Sequence, residues 1–438
     1  MSTLRLRIPL VSRGLARLRL IPNLQDLLVA QGLPLVAQAF VAFFTAAVLG
    51  PGGKGMTALA ITIAGLGATA FFLSMHVGIV SAHLRDSDGV VLRATSFVAL
   101  FATAPLLVGM STGVARIGGT ATPRQQAIFL GLAAIVIEAP MLVVMRTLQG
   151  LGDSRRYKVG TLLRVTVYAS LVIILALGHL NPVDVISAYI AGDAVGLWFA
   201  TFSLRRFLLK TRTKQLKPVQ RGSRSGFIRG IFLPSLQAQM ASLSQQAAYR
   251  TDLVLLGFLS PLSMVGQYAF ATSIAETLWI ISEAISLSLY STTVRLVSEG
   301  DELSVRSAFS SAMRAQFETT SMGMVLLAVL SYPLIRIVFP SYMPAYSLIL
   351  ILLPGIVIGG AARLVTSAAI ASERQRLVRR CAIISMCLTP VYVPCILIGQ
   401  ATGAAIASDI IYAMTTVLFL RAHRRLPPAS MSDRIAPS

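Results

Sequence analysis

Glu138, Arg164, Asp193, Arg250, Asp252, Glu276, Glu283, Glu318, Arg336, Arg363 and Asp409 all lie inside long apolar stretches of this chain. A charge in such surroundings is costly, so it faces a partner or a water-filled cavity. The residue types divide the chemistry. An arginine offers a fixed fork of donors suited to phosphate or carboxylate. A carboxylate binds a proton or Na⁺, or pairs with one of those arginines.

Helical geometry sorts several of them. Gln239, Ser242, Gln246 and Arg250 follow one another at three or four positions. At about 100° per residue they form one polar stripe. Gln31, Gln38 and Thr45, each seven apart, form a parallel stripe much earlier in the chain. Such stripes either line a cavity or hydrogen-bond a neighbouring helix. Arg250 ends its stripe, and Asp252 lies about 200° around the helix from it, so the two make no local ion pair. Asp252 is expected to bury against a neighbouring helix. Arg250 becomes the leading candidate to contact an anionic group, the alternative being a structural pair with a distant acid such as Glu276. Glu276, Glu283 and Tyr290 also share a face. Glu276, Glu283 and Glu138 are the candidates for coupling to H⁺ or Na⁺, and Glu276 and Glu283 could equally pair with arginines such as Arg164 or Arg363. Arg164 and Arg363 join Arg250, Gln246, Gln239, Gln38 and Gln31 as candidate cavity residues. Asp193 and Asp409 occupy equivalent places in two repeated halves, which favours a role in helix packing.

No catalytic constellation accompanies these groups. There is no G-x-x-x-x-G-K-[ST], no H-E-x-x-H and no clustered set of metal ligands. Cys381, Cys387 and Cys395 form no C-x-x-C pair and read as small buried hydrophobes. Neither an enzyme activity nor a cofactor is expected.

The elements that position these residues are membrane spans. Hydrophobic residues make up 55% of the 438 positions and charged residues 13%, and the formal charge is +21. Mean hydropathy is +0.74. A soluble chain could not hide that much apolar surface. About twelve stretches approach the roughly 20 residues needed to cross a bilayer. Six lie near Leu27–Gly50, Met56–Ala82, Val90–Met110, Gln126–Met145, Val159–Gly178 and Val183–Leu204. Six more lie near Ile231–Phe258, Leu262–Tyr290, Ala315–Phe339, Ala345–Ala371, Cys381–Ile398 and Ala401–Leu420. The fold class is all-α, with two six-helix bundles over 27–204 and 230–421. They are flanked by basic segments at 1–26, 205–229 and 422–438.

About 31 of the 38 Lys and Arg residues fall on one side of this arrangement, and about three, Lys54, Arg116 and Arg124, on the other. The charge therefore reports topology rather than nucleic-acid binding: a multi-pass cell-membrane protein with both termini cytoplasmic, its basic segments touching anionic headgroups. Reporter fusions at Arg221 and Ala121 are expected to report opposite sides; one shared side would contradict twelve spans.

The halves repeat at an offset of roughly 210–220 residues. Ile190-Ala191-Gly192-Asp193 matches Ile406-Ala407-Ser408-Asp409, and Gly55-Met56-Thr57-Ala58 matches Gly266-Gln267-Tyr268-Ala269. Each follows in the same order in its half. Two same-sense six-span halves imply a pseudo-two-fold along the membrane normal, with a cavity between them.

Arg250-Thr251-Asp252-Leu253-Val254-Leu255-Leu256-Gly257 and Val265-Gly266-Gln267-Tyr268-Ala269-Phe270-Ala271 resemble the polysaccharide-export branch of the multidrug/oligosaccharidyl-lipid/polysaccharide (MOP) exporter superfamily. So do Pro333-Leu334-Ile335-Arg336-Ile337-Val338-Phe339, Gly403-Ala404-Ala405-Ile406-Ala407 and the turn Leu49-Gly50-Pro51-Gly52-Gly53-Lys54-Gly55. The resemblance implies alternating access in a bacterial cytoplasmic membrane. It implies a lipid-linked oligosaccharide on a polyprenyl diphosphate as the cargo, with membrane lipids and polysaccharide-assembly machinery as partners. No strict motif of the family fixes which residues bind. A multidrug antiporter of the same superfamily would favour an acidic cavity and weight Glu276 or Glu138. A membrane glycan polymerase or ligase normally needs a sizeable exterior loop; five of the six expected loops on that side run to roughly a handful of residues, and Ser111–Gln125 is the longest.

Overall fold

The computed structural model describes residues 24–71, 74–77, 79–80, 122–212, 224–372 and 374–424. The expected third span, most of the Ser111–Gln125 loop, both basic ends and the centre of the linker lie outside the described residues. Among those described, every regular element is helical. Helix α1 spans Leu24–Phe71, α2 Pro123–Gly150, α3 Ser154–Ala176 and α4 Pro182–Arg212. The second half holds α5 (Arg224–Leu259), α6 (Leu262–Ala275), α7 (Trp279–Glu299) and α8 (Glu302–Val338). It closes with α9 (Met343–Ala371), α10 (Gln375–Met386) and α11 (Tyr392–Arg424). Among the described residues, eight helical stretches are long and apolar enough to cross a membrane. The chain is a multi-pass membrane protein.

Local chemistry sets the helix limits. α1 holds two spans that meet at Gly50, whose φ of 64° and ψ of −178° break the helix. Only glycine takes that conformation without strain, and Pro51 then restarts the helix with its φ already set. α11 breaks likewise at Gln400, with φ 47°, a costlier solution for a residue with a side chain. Thr122 and Gln125 form a capping box ahead of α2. Asp301 caps α8 by accepting the Ser304 N–H at 3.0 Å.

Several limits differ from those the apolar pattern suggests. α8 begins at Glu302 rather than near Ala315, because nothing stops the helix between its cap and its apolar stretch. The linker expected over 205–229 is helical at both ends, where α4 runs to Arg212 and α5 starts at Arg224. Hydropathy marks where lipid begins, not where helical hydrogen bonding stops. Two spans are also interrupted. A 3₁₀ turn at Glu276–Leu278 separates α6 from α7, and one at Thr389–Val391 separates α10 from α11. Such mid-span turns mark hinges or sites.

The two halves meet along α1 and α6. Gly55 and Gly266, the repeated glycines, face each other there. A Cβ on Gly55 would run into the Leu262 carbonyl, and one on Gly266 into the Pro51 carbonyl. This backbone contact needs glycine on both sides. Around it the halves are locked at the end that carries the Gly50 turn. Phe43 meets Phe270 at 5.8 Å and Phe339 at 6.1 Å, and Phe270 meets Tyr342 at 4.4 Å. Such aromatic pairs contribute about 0.5–1.5 kcal/mol each beyond their burial. The Tyr342 hydroxyl donates to the Ala46 carbonyl at 3.2 Å. Arg124 donates to the carbonyls of Phe258 and Ser260, at 3.1 and 2.8 Å, and so satisfies the free end of α5 from the other half. Among the described residues these contacts seal that face.

Candidate functional site

The second half gathers a charged cluster on an aromatic floor. Arg250 on α5 donates Nη1 and Nη2 to the two oxygens of Glu276, each at 3.0 Å. The pair is bidentate, and its acid is the first residue of the 3₁₀ break in the eighth span. Arg363 on α9 donates Nη1 to Glu283 at 3.2 Å. Its guanidinium lies over Trp279, 4.2 Å from the ring centroid, and 5.6 Å from that of Tyr249. Tyr249, Trp279 and Tyr412 contact one another at 5.3–6.0 Å. The Arg250 side chain is 38% exposed and that of Glu283 50% exposed, so both pairs reach an open surface. Two guanidiniums are held in place there, and only exposed or half-buried carboxylates compete for their donors.

The first half gathers a second cluster, buried. Arg164 on α3 forms an ion pair with Asp193 on α4 and donates to the Tyr189 hydroxyl at 3.0 Å. Tyr168 meets Tyr189 edge-on at 5.7 Å. Glu138 on α2 is 5% exposed, interacts with the charges of Asp193 and Arg164, and accepts a hydrogen bond from Tyr189. Pro140, two residues on, leaves the Val136 carbonyl without its helical donor. Asp193 takes the guanidinium, and Glu138 lies close by with no ion pair of its own among the described residues. With both carboxylates ionised the cluster has one negative charge more than the arginine balances, and one proton or one Na⁺ would neutralise it.

The remaining candidates divide plainly. Gln239 is buried, 3% exposed, and does not line an open surface. Its amide donates to the carbonyls of Thr69 at 2.6 Å and Ala70 at 3.2 Å, and its oxygen accepts the Ser74 hydroxyl at 3.0 Å. Ser74 has a φ of 44°, so the second span is broken there. Gln239 satisfies carbonyls near that break from the opposite half. Gln246 and Gln38 are exposed. The side chain of Gln31 lies outside the described residues. Asp252 is 4% exposed and accepts from the Leu253 N–H at 2.7 Å, from the Tyr268 hydroxyl, and from Ser408 at 3.3 Å. Tyr392 reaches the same serine at 3.1 Å. Asp409 packs against Gly355 with no arginine at its side among the described residues.

The tyrosines and tryptophan escape a search for charges, yet spacing marks some of them. Tyr168 follows Arg164 by four, Tyr189 precedes Asp193 by four and Trp279 follows Glu276 by three, and such neighbours share a helix face. Nothing in the sequence marks the break at Ser74. A recess of about 640 Å³ on the sealed face, lined by Gly52, Gln126, Asn181 and Asp184 among others, shares no residue with either cluster.

No family model matches the chain. No curated protein matches it either. Solved structures do. The inward-facing conformation of a multidrug resistance MATE family transporter of the MOP superfamily is similar with a TM-score of 0.72 and 16% identity. That match covers 93% of this chain and 99% of the other. The lipid II flippase MurJ, in an inward closed conformation, is similar with a TM-score of 0.69 and 13% identity, over 91% of this chain and 87% of the other. An outward-facing MATE family transporter gives 0.58 and 14%, over 92% and 95%. At these identities the likeness establishes the fold, which transporters and a flippase share.

Proposed function

We propose that the protein is a flippase of the polysaccharide-export type, carrying a lipid-linked oligosaccharide across a bacterial cytoplasmic membrane by alternating access. The observation that carries this reading is the pair of partly exposed arginines, Arg250 fixed by its two hydrogen bonds to Glu276 and Arg363 fixed over Trp279 and Tyr249. A polyprenyl diphosphate needs forked donors out of bulk water. The exposed Gln246 and Gln38 offer hydrogen bonds to sugar hydroxyls, and the polyprenyl tail stays in lipid at the edge between the halves. Sealing at the Gly50 face, which sequence charge places outside, corresponds to a state open to the cytoplasm. The test is a deletion strain in which lipid-linked oligosaccharide is resolved by leaflet: the cargo accumulates on the cytoplasmic side and wild-type protein relieves it. An unchanged leaflet distribution contradicts the proposal.

The coupling ion belongs to the first half in this reading. In the exposed cluster of the second half each acid has an arginine, Glu276 with Arg250 and Glu283 with Arg363, whereas Glu138 is left over beside the Arg164–Asp193 pair. Glu138→Gln keeps the shape and removes the surplus charge. In proteoliposomes, transport by this variant is expected to lose at least tenfold of its dependence on an imposed H⁺ or Na⁺ gradient, while Glu283→Gln keeps that dependence. Full gradient dependence in Glu138→Gln would place coupling elsewhere. A multidrug antiporter would instead put the surplus negative charge on the exposed surface, where the second half has matched pairs.

A further inference from the structure

Lys54 stands apart from both clusters. It is 8% exposed, and its ammonium has one described partner, the Thr45 hydroxyl, at 3.4 Å. Thr45 itself donates to the Val41 carbonyl at 2.7 Å and therefore accepts from the lysine. Among the described residues no ion pair includes Lys54. A buried ammonium held by one long, neutral hydrogen bond is not a packing device; buried charges persist where they are paired or where something pairs them in another state.

Its surroundings indicate which state. The residues next to this contact on both chain segments touch the opposite half. Phe43 meets Phe270 and Phe339, the Ala46 carbonyl accepts from Tyr342, and Gly55 crosses Gly266. Parting the halves at this face removes the cover from Thr45 and Lys54 together. Thr45 also continues the polar stripe that contains Gln38, seven residues earlier on the same face. Gln38 is exposed and Thr45 buried. The stripe therefore runs from an open stretch to a cation shut beneath the seal.

We infer that Lys54 and Thr45 form a second anion-binding site, closed here, that receives the phosphate-bearing end of the cargo on the exit side once the seal opens. The inference rests on the anionic cargo proposed above. It adds a site that the arginine cluster does not include, and it assigns the buried lysine a ligand class: a phosphate or diphosphate ester. The cargo passes from two forked guanidiniums to a single ammonium. An ammonium holds phosphate as a point charge and gives it up more readily than a bidentate fork.

The experiment uses the full-length protein in right-side-out vesicles, with the three native cysteines replaced by serine and Thr45 replaced by cysteine. Membrane-impermeant methanethiosulfonates of opposite charge probe the site from the exit side. With Lys54 present the anionic sulfonatoethyl reagent is expected to react about tenfold faster, relative to the cationic trimethylammonium reagent, than in Lys54→Gln. Inorganic pyrophosphate is expected to slow labelling with lysine or Lys54→Arg, and not with Lys54→Gln. Equal reagent ratios in the lysine and glutamine proteins overturn the inference, as does absence of labelling by either reagent, which would mean that the site never opens. Leaflet-resolved transport by Lys54→Gln with Thr45 intact separates the two readings. Wild-type rates there remove the exit site and leave the flippase intact. A wild-type protein that moves no lipid diphosphate removes the flippase, while the reagent ratio still reports on Lys54.

Discussion

Arg250→Ala is expected to abolish transport, by roughly a hundredfold or more, because it removes the better anchored of the two forks. Two effects add. The variant loses both Nη donors, and it strands Glu276 at the 3₁₀ break between α6 and α7, 19% exposed and without its partner. Removing one member of a fully buried pair costs about 3–5 kcal/mol. This pair is partly exposed, so the structural cost is nearer about 1–2 kcal/mol. The structural part is separable. Arg250→Ala combined with Glu276→Gln should recover insertion and thermal stability but not transport. Arg250→Lys keeps the charge and loses the bidentate fork, and should fall between wild type and alanine. If the double variant transports at the wild-type rate, Arg250 serves only to hold the break. Quantified membrane-inserted protein, melting temperature and leaflet-resolved transport together decide it.

Gly266→Val is expected to unseal the Gly50 face. A Cβ there meets the Pro51 carbonyl and the Gly55 amide nitrogen, neither of which can turn aside as a flexible side chain would. Overpacking of this kind costs about 1–3 kcal/mol, and a bias of that size shifts a two-state equilibrium roughly 5- to 150-fold. Labelling of a Thr45→Cys probe by an impermeant reagent should rise accordingly, and transport should fall because the inward-open state is depleted. Gly52→Val is the control: a Cβ at Gly52 meets nothing within 4 Å, although the residue lies in the same turn. Equal labelling in the two variants would mean that the glycine crossing is not what holds the face shut.

Some of this was readable from residues and some was not. Leu49-Gly50-Pro51 announces a reversal because glycine supplies the positive φ and proline restarts the helix, and the structure turns there. The spacing of Gly55 and Gly266 in the repeat placed them in equivalent helices. That they touch is tertiary, and no periodicity reports it. Helical angles correctly separated Arg250 from Asp252. They could not select Glu276 from among the distant acids, because the pairing crosses from one helix to another. Gln239 belonged to a stripe with two readings, and its partners are backbone carbonyls near a helix break that no residue type marks. Lys54 counted in the sequence only as one of a few basic residues on the sparsely charged side. Its interest comes from burial, which a turn of glycines and one proline does not suggest.

The role proposed for the arginine cluster is to carry a lipid diphosphate. The most direct measurement is flipping of a fluorescent polyprenyl-diphosphate oligosaccharide in proteoliposomes, read by quenching from one side. Wild-type protein is expected to flip it. Arg250→Ala combined with Arg363→Ala is expected not to, and an aromatic dye cation is expected to be moved by neither. Efflux of the dye cation by wild-type protein, with the lipid diphosphate left in its original leaflet, would contradict that role.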